Sequence, residues 1–118
     1  MSAMSQLPPQ VQERLQRLQQ LQNTMQQLVM QRQRIEMEIA DSNRALDALS
    51  KMEEGAKSYM SMGAVLVEKP KDEIIKELTD RKEFLDMRIK VIQKQEDKTK
   101  EKLSSLQETL QKELGISQ

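Results

Sequence analysis

The chain has 118 residues, 19 of them basic and 19 acidic, with 36% hydrophobic side chains, two aromatics (Tyr59 and Phe84), and neither Cys nor His. Balanced charge leaves no chain-wide electrostatic footprint for nucleic acid or an anionic membrane surface, and the missing Cys and His exclude disulfides, thiol nucleophiles, the usual zinc ligands and the commonest general base. A compact core wants large aromatic side chains, whereas the Leu, Ile, Met, Gln, Glu, Lys and Arg that dominate here belong to long helices and coiled coils.

At the N-terminus, Met1-Ser2-Ala3-Met4-Ser5-Gln6-Leu7 has no charged segment followed by an apolar one. No apolar run approaches the roughly 20 residues of a membrane span. A cytoplasmic protein without a membrane partner is expected.

The first predicted element is a helix over residues 10–54, opening after Leu7-Pro8-Pro9, where proline's missing N–H is no loss in the first turn. Alternate steps of three and four trace a seam through Val11, Arg14, Leu18, Leu21, Met25, Leu28, Arg32, Ile35, Ile39, Ser42, Leu46 and Leu49, broken only at Arg14, Arg32 and Ser42. Gln is dense from Gln6 to Gln33 but falls mostly off this line, as on a solvated helix face. Gly55 is the expected stop, since glycine takes the left-handed conformation of a helix end cheaply.

Residues 58–69 then read as a β-hairpin. Gly63-Ala64 sits between two alternating runs and has the composition of a type II′ turn. It predicts the pairs Met62 with Val65, Met60 with Val67, Ser61 with Leu66 and Tyr59 with Glu68. Met60, Met62, Val65 and Val67 form one wholly apolar face. A lone two-stranded hairpin is marginal in water, and the seams are committed to each other, so other chains are expected to cover it, edge to edge in a barrel or sheet. Tyr59, Met60, Met62, Gly63, Val65, Leu66 and Val67 are the candidate oligomer interface.

The last element is a helix over residues 70–114, with Pro70 suited to its first turn and Asp72 and Glu73 placed to complement the helix dipole. Its seam runs Ile75, Leu78, Lys82, Leu85, Ile89, Ile92, Glu96, Thr99, Leu103, Leu106, Leu110 and Glu113, and Gly115 is expected to end it. Each tract spans about 65 Å at about 1.5 Å per residue. Equal arms favour an antiparallel two-helix coiled coil, mainly α, with the hairpin at the bend. Folding back sets Ile39 beside Leu85, Ile35 beside Ile89 and Leu21 beside Leu103, with Ser42 opposite Lys82. Arg32 then comes close to Ile92 and is predicted to reach Glu96, fixing register.

Several segments together resemble the β class of prefoldin subunits, a family of ATP-independent co-chaperones. They are Leu7-Pro8-Pro9-Gln10-Val11-Gln12, the Gln-rich first helix, Tyr59 and Gly63 followed by Val65-Leu66-Val67-Glu68-Lys69, and Lys94-Gln95-Glu96-Asp97-Lys98. The resemblance covers the chain as one domain, 1–118, and is most specific at the single hairpin between equal arms. It departs at Met60-Ser61-Met62, where many relatives carry Lys after the Tyr and a smaller apolar residue before the Gly. It implies a hetero-hexamer of two α-class and four β-class subunits joined through their hairpins. Unfolded client proteins would be held at the arm tips and passed to a group II chaperonin.

With the bend as the assembly point, the two termini meet at the far tip, gathering Met1, Met4, Leu7, Val11, Leu110, Leu114 and Ile116. Fraying ends expose them, and Met adapts to many partners. These seven are the candidate client-binding residues. No phosphate-binding loop is present, and weak contacts from several arms could hold a client by avidity. No cofactor, metal or enzymatic activity is expected, because the carboxylates lie on exposed helix faces beside Lys or Arg. A passive coiled-coil spacer would explain both seams but not the hairpin. An RNA-binding arm would want a basic stripe with stacking aromatics, whereas Lys94, Lys98, Lys100 and Lys102 are interleaved with Glu96, Asp97 and Glu101.

Overall fold

The computed structural model describes residues 6–115. In chain order it contains helix α1 (Pro9–Ser50), strands β1 (Tyr59–Met62) and β2 (Val65–Glu68), and helix α2 (Lys71–Glu113). This is the expected class, two long helices with an antiparallel strand pair between them in the chain.

Proline starts both helices. Pro9 is the first helical residue of α1, and the Pro8 carbonyl accepts the amides of Val11 and Gln12 at 2.9 and 3.1 Å. At α2, Pro70 lies one residue outside the helix, its carbonyl taking the amides of Glu73 and Ile74 at 3.1 and 3.2 Å. Asp72 and Glu73 fall in that first turn, where the dipole favours carboxylates. α2 ends at Glu113, and Gly115 follows with φ +71°, as expected.

The end of α1 corrects the expected limit of residue 54. The helix stops at Ser50, whose hydroxyl donates to the Asp47 carbonyl at 2.6 Å and competes with the helical ladder. The Lys51 amide is shared between the Asp47 and Ala48 carbonyls, both at 3.2 Å, and the Met52 amide turns to Leu49, tightening the last turn. Gly55 does adopt a positive φ, +84°, but it serves a separate turn closed by the Ala56 amide on the Glu53 carbonyl at 3.1 Å. A positive φ at the third position is what a type II turn requires.

The chain divides into two compact units, one made from the chain up to Arg32 and from Val91 onward, the other being Gln33–Lys90. In the first, Val11, Leu21 and Leu28 of α1 and Ile92, Thr99 and Leu110 of α2 are buried. In the second, Ile35, Ser42 and Leu49 of α1 and Ile74 and Leu85 of α2 are buried, Leu85 to 1% exposure. From Leu21 to Leu49 the buried α1 residues recur once per heptad, the signature of a coiled-coil seam. At the start of α2 the stripe shifts: Ile74 is buried and Ile75 only half-buried. Ile74 stands one four-residue step before Leu78, the drift expected where a helix keeps 3.6 residues per turn rather than 3.5.

The polar breaks in the two seams answer one another. In the first unit the Arg32 Nε donates to Glu96 Oε1 at 2.7 Å, as predicted. Arg14 forms an ion pair with Glu113, joining two further breaks. The partner of Arg falls from 113 to 96 as its own number rises from 14 to 32, so the helices of this unit run antiparallel. Thr99 is buried because its hydroxyl donates to the Gln95 carbonyl of its own helix at 2.8 Å. In the second unit Ser42 is buried and Lys82 half-buried. There Arg81 Nε donates to Glu38 Oε1 at 3.0 Å across the helix pair, while its guanidinium lies 5.4 Å from the Phe84 ring centroid.

Candidate functional site

The hairpin belongs to the second unit. Its register is Tyr59 with Glu68, Met60 with Val67, Ser61 with Leu66 and Met62 with Val65, every pair as predicted. Gly63 has φ +62° and, among the described residues, no non-glycine residue has a positive φ, so only the first turn position is left-handed, the sign pattern of a type II′ turn. That turn matches the strand twist and leaves no freedom for a register slip.

A clasp closes the base. The Lys69 amide donates to the Ser58 carbonyl at 3.0 Å, and the buried Ser58 hydroxyl donates to the Lys69 carbonyl at 2.6 Å. The Lys69 ammonium reaches Glu77 at 3.2 Å and Glu73 at 3.8 Å, tying β2's end to the first turns of α2. Two turns along, Lys76 hydrogen-bonds Asp80 at 3.0 Å, which raises the ammonium's pKa above its usual value. The strand pair therefore projects from a fixed base.

What it projects is apolar and uncovered. Of the eight strand residues only Met60 is half-buried. Met62, Val65 and Val67 expose half, 59% and 36% of their surface on the face shared with Met60. Leu66, on the face of Tyr59 and Ser61, is 72% exposed, so apolar surface extends to both faces. Covering these four exposed side chains would contribute roughly 1 kcal/mol each, a strong drive toward association for so short an element.

The second candidate region lies in the first unit, where α1 begins and α2 ends. Val11 and Leu110 are buried there at 5% and 4% exposure, Leu7 is half-buried, and Leu114 is exposed. The Leu7 carbonyl accepts Gln12 Nε2 at 2.7 Å, which holds the segment before α1 against its first turn. Met1, Met4 and Ile116 lie outside the described residues. Among those described, no three His, Cys, Asp or Glu side chains could hold a metal ion, and no helix is long and apolar enough to cross a membrane.

Residues 12–116 match the family model described as prefoldin subunit. The chain belongs to the prefoldin subunit family. It is 41% identical over 108 residues to prefoldin subunit beta of Archaeoglobus fulgidus, covering 92% of this chain and 93% of that protein. Prefoldin subunit beta of Methanosarcina acetivorans is 37% identical over 111 residues, 94% of this chain and 95% of the relative. The crystal structure of the prefoldin beta subunit from Thermococcus strain KS-1 superposes with a TM-score of 0.82 at 33% identity, covering 89% of this chain and 92% of that one. Prefoldin subunits are chaperone components with a coiled-coil helical fold, and this chain shares both assignments.

For a prefoldin subunit the informative residues beyond the predicted ones are Ser58, Lys69 and Arg14. Ser58 and Lys69 continue the predicted ladder by one more pair, so extending the register past Tyr59 and Glu68 would have found them. Arg14 and Glu113 were both visible as seam breaks of opposite charge, which is the signal that pairs them.

Proposed function

We propose that this chain is a β-class subunit of a prefoldin holdase. It assembles through its hairpin with an α-class partner into a hetero-hexamer of two α and four β subunits. It captures unfolded proteins at the helix ends near the termini and passes them to a group II chaperonin, acting in the cytoplasm. The observation that carries the reading is the hairpin: a register-locked strand pair with a clasped base and exposed Met62, Val65, Leu66 and Val67 is built to be covered by other chains. A spacer has no use for it. The relatives are beta subunits, which supports a partner of another class. Several arms making weak apolar contacts would hold one client by avidity, which requires no nucleotide site.

The test is aggregation of a chemically denatured reporter, followed by light scattering with the chain alone, with an α-class subunit, and with both. Suppression by the complex is expected, and a complex that leaves aggregation unchanged would refute the chaperone reading. Val65→Lys with Val67→Lys should abolish the complex mass while helical content persists. Removing residues 1–10 and 111–118 should abolish suppression while the complex survives. Loss of assembly in that truncation would make the helix ends structural.

A further inference from the structure

We propose that the face of α1 from Gln19 to Met30 is a second docking surface, and that its occupant is an extended, unfolded polypeptide segment held through its backbone. Residues 18–31 form the longest uncharged run in a chain that is 32% charged. Exposed coiled-coil faces ordinarily carry interspersed Glu and Lys for solubility and i,i+4 pairing. Here the face is instead a shallow groove of about 660 Å³. Gln19, Gln22, Asn23 and Gln26 supply its amides, and Met25 and Val29 its half-buried apolar surface. Exposed Met30 closes the end, beside Leu103 of α2 in the same unit.

The lining chemistry selects the occupant. A side-chain amide both donates and accepts, so a row of them pairs equally with N–H and C=O, the groups that every residue of an extended chain presents. Without charge, the groove does not sort partners by sign. Met accepts apolar side chains of varied shape. A folded or helical partner, including a second copy of this chain, has its backbone already paired and would leave the amides unanswered. A nucleic acid or an anionic bilayer would require cations that the groove lacks. From Gln19 to Met30 the helix rises about 16 Å, room for roughly five extended residues at about 3.3 Å each.

This surface rests on the reading of the chain as a binder of unfolded proteins, but not on capture at the helix ends. The experiment places a photo-crosslinking amino acid at Asn23, at Asn43 on an exposed charged stretch of α1, and at Leu114, each in the complex assembled with its partner subunits. The probe is reduced, carboxymethylated lactalbumin, which stays unfolded, against the native disulfide-bonded protein.

Asn23 should capture the unfolded form and not the native one, and Asn43 neither. The substitutions Gln22→Glu and Gln26→Glu together, on exposed helix positions, should weaken binding roughly fivefold with unchanged helical content. Capture at Asn23 no stronger than at Asn43, adducts between subunits without client, or unchanged affinity in the double variant would each overturn the proposal. Capture at Leu114 alone removes this surface and leaves end capture standing. Capture at Asn23 alone does the reverse.

Discussion

The Arg32–Glu96 pair should set helix register at a measurable energy. The two side chains meet at 2.7 Å and are 25% and 12% exposed, so both charges are largely but not fully withdrawn from water. Breaking a fully buried pair by removing one partner costs about 3–5 kcal/mol. With a quarter of Arg32 still solvated, we expect about 2 kcal/mol for Arg32→Met or for Glu96→Leu. The double variant should lose no more than either single one, because no charge is then stranded in an otherwise apolar seam, giving a coupling energy of about 2 kcal/mol. Arg32 also makes an interaction beyond Glu96, which the double-mutant cycle cancels. The four proteins would be unfolded in urea at one fixed concentration, since assembly makes stability concentration-dependent. Register would be read from spin-label distances between Gln31 and Lys94. One distance is expected in the wild type and in each single variant. In the double variant a second should appear, displaced by roughly 10 Å, one heptad along the helix. A coupling below about 0.5 kcal/mol, or a single unchanged distance in the double variant, would refute the assignment of register to this pair.

Leu85→Ala should cost about 2–5 kcal/mol in urea unfolding, because Leu85 is the most buried side chain described and its loss leaves a cavity. Gly63→Val should destabilise the hairpin by about 1–2 kcal/mol. Nothing lies within 4 Å of an added Cβ, so only the positive φ resists it. Gly63→Asn should recover much of that loss, with both read from the complex mass and from hydrogen exchange of the strand amides. Ser58→Ala removes the hydrogen bond to the Lys69 carbonyl, and exchange at the Lys69 amide should quicken about fivefold, matching a loss of about 1 kcal/mol.

Much of this fold was legible because its determinants are periodic or local. The seam from Leu21 to Leu49 is a repeat, the hairpin register follows from a two-residue loop with glycine first, and Arg32 with Glu96 are opposite charges on facing lines. The limit of α1 was not legible: Gly55 was the expected stop, whereas the helix ends at Ser50, whose hydroxyl reaches the Asp47 carbonyl. The switch from Ile75 to Ile74 depends on how far α2 is supercoiled, which a strict heptad count assumes in advance. Of the candidate binding residues, the hairpin set emerged exposed apart from half-buried Met60. The end set did not share one environment: Leu114 is exposed while Val11 and Leu110 are core.

That last contrast has a thermal consequence. Under the proposed capture at the helix ends, a client engaging Val11 or Leu110 would first have to part those ends, separating Arg14 from Glu113 and uncovering two apolar side chains. The opening costs about 3 kcal/mol, so fewer than about one arm in a hundred is open at 25 °C, and apparent affinity falls by the same fraction. Helix ends open more readily on warming. Leu114, 40% exposed, remains available to a first weak contact throughout. On the proposed reading, Val11 and Leu110 would form a reserve that heat releases, enlarging the apolar grip under the conditions that unfold other proteins.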